Sequence, residues 1–441
     1  MCSVTLNGDT TFNLTYDKVA VPKELMVAKT SGELFAFLAK QIESFLKKHH
    51  EDHYHSHLQR RATGSTPEGF RDEEIFHLGF TFSFPVQQLA INKGNLMRWT
   101  KGFDIQDTVG KDVCALLQDE IDKLHLPVKV AALVNDTVGT LMARSYTSTG
   151  KEGSILGAIF GTGTNGAYIE KVANIKKPIA GQYDASTGEM VINTEWGSFD
   201  NQLNVLPSTP WDTTLDQQSN NPGFQMFEKR VSGMFLGEIV RLAVVDLIND
   251  DKINLFKSAA SDSSTSVGPQ SDIFKQWGLD SAIMSVAAED NSPDLTKLRR
   301  ELETLVHSYA LSLEDAQAFK AIADAVGRRA ARLSAVAIGA IAIQSGKIDD
   351  PNEKVIDIGV DGSLVEHYPH FRDMIYEALR GIDRVGIRGA SKIRIGVAKD
   401  GSGVGAALIA LVAAKMEKAG KPDLKTSVKK ELDSISASGT I

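Results

Sequence analysis

Strand-like runs and helical periods succeed one another along this chain in two blocks. That order constrains the fold more than any single motif. In the first block Val4 and Leu6 alternate with Thr5, Asn7-Gly8-Asp9 has hairpin-turn chemistry, and residues 10–16 read as a second strand. Residues 33–48 follow a helical period, with Leu34, Phe35, Phe37, Leu38, Ile42, Phe45 and Leu46 as the apolar face. Strands are expected at 76–84 and 128–133, with a helix at 112–123 between them. The second block carries strands at 155–160 and 166–170, helices at 293–307 and 315–343, strands at 354–359 and 392–397, and a helix at 405–418. Strands then helices, twice over, predict two α/β lobes. A length of 441 residues agrees, at about 150 residues per domain. The polar stretch 147–152 is the expected boundary. Residues 1–150 then form a smaller lobe and 151–441 a larger one, with the last helix returning to the smaller.

Charge and cysteine content exclude several function classes. Lys and Arg number 48 against 56 Asp and Glu, a net charge of −8. That balance supplies no field for nucleic acid or an anionic membrane surface, so no nucleic-acid partner is expected. Two cysteines, Cys2 and Cys114, exclude a disulfide framework and a Cys-rich zinc module. The Ala-rich windows 333–343 and 406–414 fall well short of the roughly 20 apolar residues of a membrane span. No basic-then-apolar signal opens the sequence. A soluble cytoplasmic protein is the expectation, of undefined oligomeric state. The polar run 49–74 holds His49, His50, His53, His55 and His57. It reads as a solvated insertion rather than a metal tract, since no Cys joins it.

Four segments carry candidate chemistry. Gly161-Thr162-Gly163-Thr164-Asn165-Gly166 lies between two expected strands, where glycines let backbone N–H groups approach phosphate oxygens. A bare Gly-rich hairpin is the competing reading. Lys399-Asp400-Gly401-Ser402-Gly403-Val404-Gly405 follows a strand and opens a helix, a context that makes an anion site from backbone donors and the helix dipole. It is not a Walker A loop, since no Gly-Lys-Ser/Thr ends it. Asn135-Asp136-Thr137 follows the strand at 128–133, where a carboxylate is placed to face a cleft as a general base. The alternative is a helix cap at Asp136. Glu195 and Glu228, with Asn135, Asp136 and Asn165, form an acceptor and amide inventory suited to a polyol.

These segments resemble the eukaryotic hexokinases, with a flavour of the fungal glucokinases. The resemblance rests on Leu78-Gly79-Phe80-Thr81-Phe82-Ser83-Phe84-Pro85 and Arg98-Trp99-Thr100-Lys101-Gly102-Phe103. It continues in the family's order through Asn135 to Thr140, 160–166, 193–201 and 227–238, then Asp361-Gly362-Ser363 and Gly401-Ser402-Gly403. It implies an actin-like, ribonuclease-H-like fold whose two lobes close on a hexose. It implies transfer of the γ-phosphoryl of Mg-ATP to the 6-hydroxyl of glucose, the first step of glycolysis, with ATP and Mg²⁺ as cofactors. Carried over, Asp136 is the base and Lys101 neutralises charge on the moving phosphoryl group. Ser83, Phe84, Thr100, Lys101, Asn135, Asp136, Asn165, Glu195 and Glu228 meet the sugar. Gly161, Thr162, Gly163, Asp361, Gly401 and Ser402 meet the nucleotide. No protein ligand for the metal is indicated.

One departure stands out. The family opens with a strand and an Asp-x-Gly-Gly-Thr-x-x-Arg phosphate loop ahead of the segment matching Cys2 to Leu6, and this sequence has neither. The expectation is a truncated or mis-started gene model, or a chain with little kinase activity. A non-catalytic glucose sensor of the same fold is the alternative. An actin-like chaperone or filament protein would leave the Ser83-Phe84-Pro85 and Thr100-Lys101 segments unexplained.

Overall fold

The computed structural model describes residues 1–62, 75–148, 153–179, 188–257, 267–268, 270–307 and 311–418. Eleven strands are described, and the small-lobe strands pair only two by two. Strands β1 (Cys2–Leu6) and β2 (Phe12–Tyr16) form an antiparallel hairpin. Strands β3 (Phe76–Thr81) and β6 (Val128–Val134) run parallel. Strands β4 (Val86–Ala90) and β5 (Lys93–Leu96) form a second hairpin that the sequence reading missed.

The large lobe is built on one five-stranded sheet, ordered β11-β10-β7-β8-β9. Its members are β7 (Leu156–Phe160), β8 (Thr164–Lys171), β9 (Glu189–Asn193), β10 (Ile356–Asp361) and β11 (Ile393–Val397). Strands β7, β10 and β11 are parallel, while β8 and β9 are antiparallel neighbours. Strand β10 alternates: Ile356, Ile358 and Val360 enter the core on one face, while Asp357, Gly359 and Asp361 share the other.

Seven helices matter here: α1 (Ser31–His49), α2 (Val113–Lys123), α3 (Asp136–Thr147), α4 (Gly233–Asn249), α5 (Leu313–Gln344), α6 (Phe371–Arg380) and α7 (Gly401–Lys418). Their ends follow local chemistry. Thr30 and Glu33 form a capping box on α1, and Ser312 and Asp315 do so on α5. Asp112 caps α2 by accepting from the Cys114 N–H. One core gathers β7, β10 and β11 with α4, α5 and α6, and another packs α1 and α2 on β6. Helix α7 packs on α3, β3 and β6, so the end of the described chain lies against small-lobe elements. Helices α3 and α7 cross at backbone contact: a Cβ on Gly405 would stand 1.9 Å from the Gly139 carbonyl oxygen.

Three expectations need correction. The polar run after residue 49 is not all loop, because residues Glu51–Ala62 form a helix. Two of its histidines, His50 and His53, lie against the Phe76 ring, and His49 pairs with Asp17 at 3.0 Å. The last helix begins at Gly401 rather than Gly405, which turns Gly401-Ser402-Gly403 into its first turn. The start of α3 is capped by Asn135, whose side chain accepts from the Thr137 N–H at 3.0 Å. Most of the Ser-rich stretch 258–268, expected as a loop, and most of the boundary 147–152 lie outside the described residues.

Candidate active site

A cleft of about 320 Å³ gathers nearly all the residues singled out above, from both lobes and from eight separate chain segments. That volume is at the small end of the ~300–1,000 Å³ usual for small-molecule sites. Ser83, Thr100, Lys101, Asn135, Asp136, Gly161, Thr162, Gly163, Asn165, Glu195, Glu228, Asp361 and Ser402 all line it. Phe84 does not. Its ring stands behind the wall against Phe82, Trp99 and Phe103, with centroids 4.8–5.1 Å apart. Gly401 is buried just outside, donating its N–H to Asp361 Oδ2 at 3.1 Å.

The small-lobe wall consists of loop residues seated on aromatic rings. Trp99 anchors its loop by donating Nε1–H to the Ile105 carbonyl at 2.8 Å. The Lys101 ammonium donates to the Ser83 carbonyl at 3.0 Å and lies 5.6 Å from the Phe84 ring centre. Lys101 itself sits in left-handed backbone, φ 57°. Glu195 and Gln225, also on the cleft, share that conformation at φ 49° and 57°. Non-glycine residues adopt it only where surroundings enforce it, and such residues cluster at functional sites.

The large-lobe wall is fixed by side-chain hydrogen bonds. The Asn165 amide nitrogen donates to Asn193 Oδ1 at 2.7 Å and to Glu195 Oε1 at 3.3 Å, while Asn193 donates to the same Glu195 oxygen at 2.8 Å. Glu228 is 6% exposed and accepts from the Thr164 N–H at 2.8 Å. Burial raises its carboxyl above the ordinary value. The Thr164 N–H and the Lys101 ammonium pull it back, and the charges of Glu195 and Asp136 push it up further. Asp136, Glu195, Glu228 and Lys101 thus share one electrostatic neighbourhood.

Glu228 stands on a single helical turn, Glu228–Val231, too short to persist alone. Two buried cations hold it. Lys229 pairs with Asp216 at 2.6 Å and donates to the Asn221 carbonyl, and Arg230 donates to the carbonyls of Pro207 and Met226. The sequence reading missed Lys229, Arg230 and Gln225. Three charged residues in a row signal a solvated surface, and only their burial reveals the scaffold.

Beside Glu228 the cleft is lined by backbone: a Cβ on Gly163 would stand 2.7 Å from Glu228 Oε2. The amides of Thr162 and Gly163 meet no protein acceptor among the described residues, whereas Gly161 N–H closes the turn onto the Gly163 carbonyl at 3.0 Å. Ser402 occupies the first turn of the 18-residue helix α7, at the positive end of its dipole. Asp361 ties these parts together by accepting from Gly362 N–H at 2.8 Å and Gly401 N–H at 3.1 Å. Burial first, then the nearby Glu366, pushes the Asp361 carboxyl up to about 6, against the two donors. Carboxylates and amides of a kind suited to a polyol, free backbone amides of a kind suited to an anion, and Asp136 on one cleft suit transfer of an anionic group to a hydroxyl.

Comparison with known proteins agrees. Two hexokinase family models match, one over residues 1–146 and the other over 155–412. A glucokinase of Aspergillus niger is 54% identical over 420 residues, covering 95% of this chain and 84% of the relative. Glucokinase-1 of Saccharomyces cerevisiae is 41% identical over 430 residues, covering 94% and 82%. The solved hexokinase of Schistosoma mansoni, complexed with glucose, superposes with a TM-score of 0.75 at 31% identity, covering 94% of this chain and 82% of that one. The two-lobed fold is therefore shared, and this chain belongs to the hexokinase family.

Proposed function

We propose that this chain transfers the γ-phosphoryl group of ATP to the 6-hydroxyl of glucose, releasing ADP and glucose 6-phosphate. The observation that carries the reading is the one cleft lined together by Asp136, by carboxylates and amides suited to a polyol, and by free backbone amides. The kinase names of the relatives point the same way. Asp136 accepts the hydroxyl proton as the oxygen–phosphorus bond forms and the bond from phosphorus to the leaving ADP oxygen breaks. Ser83, Thr100, Asn135, Asn165, Glu195 and Glu228 hold the sugar hydroxyls. An analogue lacking one would leave a buried polar group unpaired. Lys101 offsets charge on the moving group. Thr162, Gly163 and Ser402 cradle the phosphates with little covalent work to do, since this chemistry is mostly positioning and charge stabilisation.

The residues present also fit Mg²⁺ arriving with the nucleotide. Asp136 and Asp361 are carboxylates on this cleft, Asp361 beside the Gly362 and Gly401 amides, and among the described residues no three-ligand metal cluster exists. Mg²⁺ is commonly held by one or two carboxylates plus substrate phosphates. When bound it neutralises phosphate charge. A glucose sensor without turnover is not favoured, because binding alone needs no base. The proposal assigns the chain to the cytoplasm, where Cys2 and Cys114 stay free thiols. Among the described residues no helix is long and apolar enough to cross a membrane.

The test is an assay of glucose 6-phosphate formation from glucose and Mg-ATP, with calorimetry of glucose binding beside it. Turnover with glucose and none with 6-deoxyglucose is expected. Binding without turnover, both in this chain and in a form extended by a family-type strand and Asp-x-Gly-Gly-Thr-x-x-Arg loop, overturns the kinase reading in favour of the sensor.

A further inference from the structure

Helix α3 carries Asp136 as its first residue, and its stretch from Thr137 to Arg144 is keyed into the large sheet. Gly157, Gly359 and Gly396 are register partners on the neighbouring parallel strands β7, β10 and β11. Register partners share a face, so the three make a side-chain-free trough across the sheet. Helix α3 lies in it. A Cβ on Gly157 would come within 2.4 Å of the Leu141 nitrogen and the Thr137 oxygen, and one on Gly359 within 2.6 Å of Arg144 Cβ. The Arg144 guanidinium fills the third position, 2.3 Å from where a Gly396 Cβ would be. From there it grips Asp357 with both arms, Nε to Oδ2 at 2.8 Å and Nη2 to Oδ1 at 2.7 Å. The pair is well buried, at 16% and 4% side-chain exposure. Arg394, the register partner of Asp357 on β11, adds a further bond at 2.8 Å.

The trough prevents α3 from shifting sideways, and the bidentate fork prevents it from sliding along its axis. Asp136 lies eight residues from Arg144, about 12 Å along the helix at ~1.5 Å per residue. Asp357 lies four residues before Asp361 on β10, and Asp361 holds the Gly401 amide at the start of α7. One strand therefore references both the base and the phosphate-binding turns.

We propose that the Arg144–Asp357 fork is a positioning element for phosphoryl transfer, setting the distance between Asp136 and the phosphate turns through β10. The proposal rests on the kinase reading above. It concerns placement within a bound complex, so it predicts a defect in kcat and none in substrate grip. Misplacement of about 1 Å is enough for roughly 10²-fold in rate.

The experiment compares Arg144→Lys, Arg144→Met and the double variant Arg144→Met/Asp357→Leu. Readouts are kcat, both KM values, melting temperature, and hydrogen exchange at residues 136–140. Arg144→Met leaves a buried carboxylate without its main partner and lowers the melting temperature. The double variant removes that charge, so it regains thermal stability. The expected pattern is a kcat lowered about 10²-fold in the double variant despite that recovery. KM for glucose and ATP stays within about twofold, and exchange at the start of α3 is faster. Arg144→Lys, a point charge without the fork, recovers stability more than kcat. A kcat that returns together with stability in the double variant overturns the proposal, as does a rise in KM at unchanged kcat. If neither the unaltered chain nor a form extended by the family-type phosphate loop makes glucose 6-phosphate, the kinase reading fails by itself. Hydrogen exchange then still decides whether the fork positions α3.

Discussion

The two walls of the cleft are held by different physics. The large-lobe wall grows from the ends of a continuous five-stranded sheet, and its parts are backbone turns and hydrogen-bonded side chains. The small-lobe wall grows from strands that pair only two by two, and its loop is seated on Phe82, Phe84, Trp99 and Phe103. Ladder hydrogen bonds and polar networks fix geometry sharply. Aromatic packing is less directional and tolerates adjustment. The sheet wall is thus suited to placing reacting atoms and the polyol acceptors Asn165, Glu195 and Glu228, and the aromatic wall to adjusting around a sugar from the other side. Asp136 belongs structurally to the first, although its strand β6 lies among small-lobe elements, because α3 beds on the large sheet.

The largest test of that division is Asp136→Asn. The amide keeps the shape and loses the base, so kcat should fall about 10²–10⁴-fold with glucose KM little changed. A variant that keeps its kcat would move the chemical centre off the sheet wall altogether.

The next test uses pH. Asp361 is raised to about 6 in the folded chain, against an ordinary 3.8. A raised carboxyl favours folding in its protonated form. Its contribution is therefore full below about pH 4 and is lost as pH rises through 6. At about 1.36 kcal/mol per pKa unit the loss is at most roughly 3 kcal/mol. Asp361→Asn should flatten the fall in melting temperature between pH 4 and 7. An equal fall in both proteins would mean that the sheet wall bears no such electrostatic load.

How much of this was legible in the sequence follows from the same contrast. The sheet wall announces itself through periodicity: β6 ends at Val134 and is followed at once by Asn135 and Asp136, and β11 runs into the first turn of α7. Those motifs are local in sequence, so strand, turn and helix signals find them. Contacts made at long range leave no local trace. Nothing in the series Glu228, Lys229, Arg230 says that all three are buried, and nothing around Arg144 names Asp357, 213 residues away. Strands β4 and β5 were missed because Gln87, Gln88 and Asn95 break the apolar alternation. Asn135 rather than Asp136 caps α3, a choice between adjacent good caps that only geometry decides.

On the aromatic wall, Trp99→Ala is the informative change. Full burial would make it worth ~3–5 kcal/mol, and for this half-buried ring about 2 kcal/mol is expected, read by urea unfolding. Hydrogen exchange should rise in β3 and at residues 97–105 and stay unchanged in β7, β10 and β11. Glucose KM should rise more than kcat falls. Matching exchange increases in the large sheet would erase the distinction between the walls.

Thr162→Ala is the smallest change and asks what kind of group binds phosphate. The Thr162 hydroxyl is exposed at the turn, while the amides of Thr162 and Gly163 lie free beside it. If the amides do the binding, removing the hydroxyl costs at most one ordinary hydrogen bond, about 0.5–1.5 kcal/mol. That corresponds to roughly a 2- to 10-fold rise in ATP KM at ~1.4 kcal/mol per tenfold. Glucose KM should not move, since the hydroxyl serves the nucleotide end alone. A far larger loss would mean that the phosphates are held by side chains. The sheet wall would then owe its precision to the same replaceable contacts as the aromatic one.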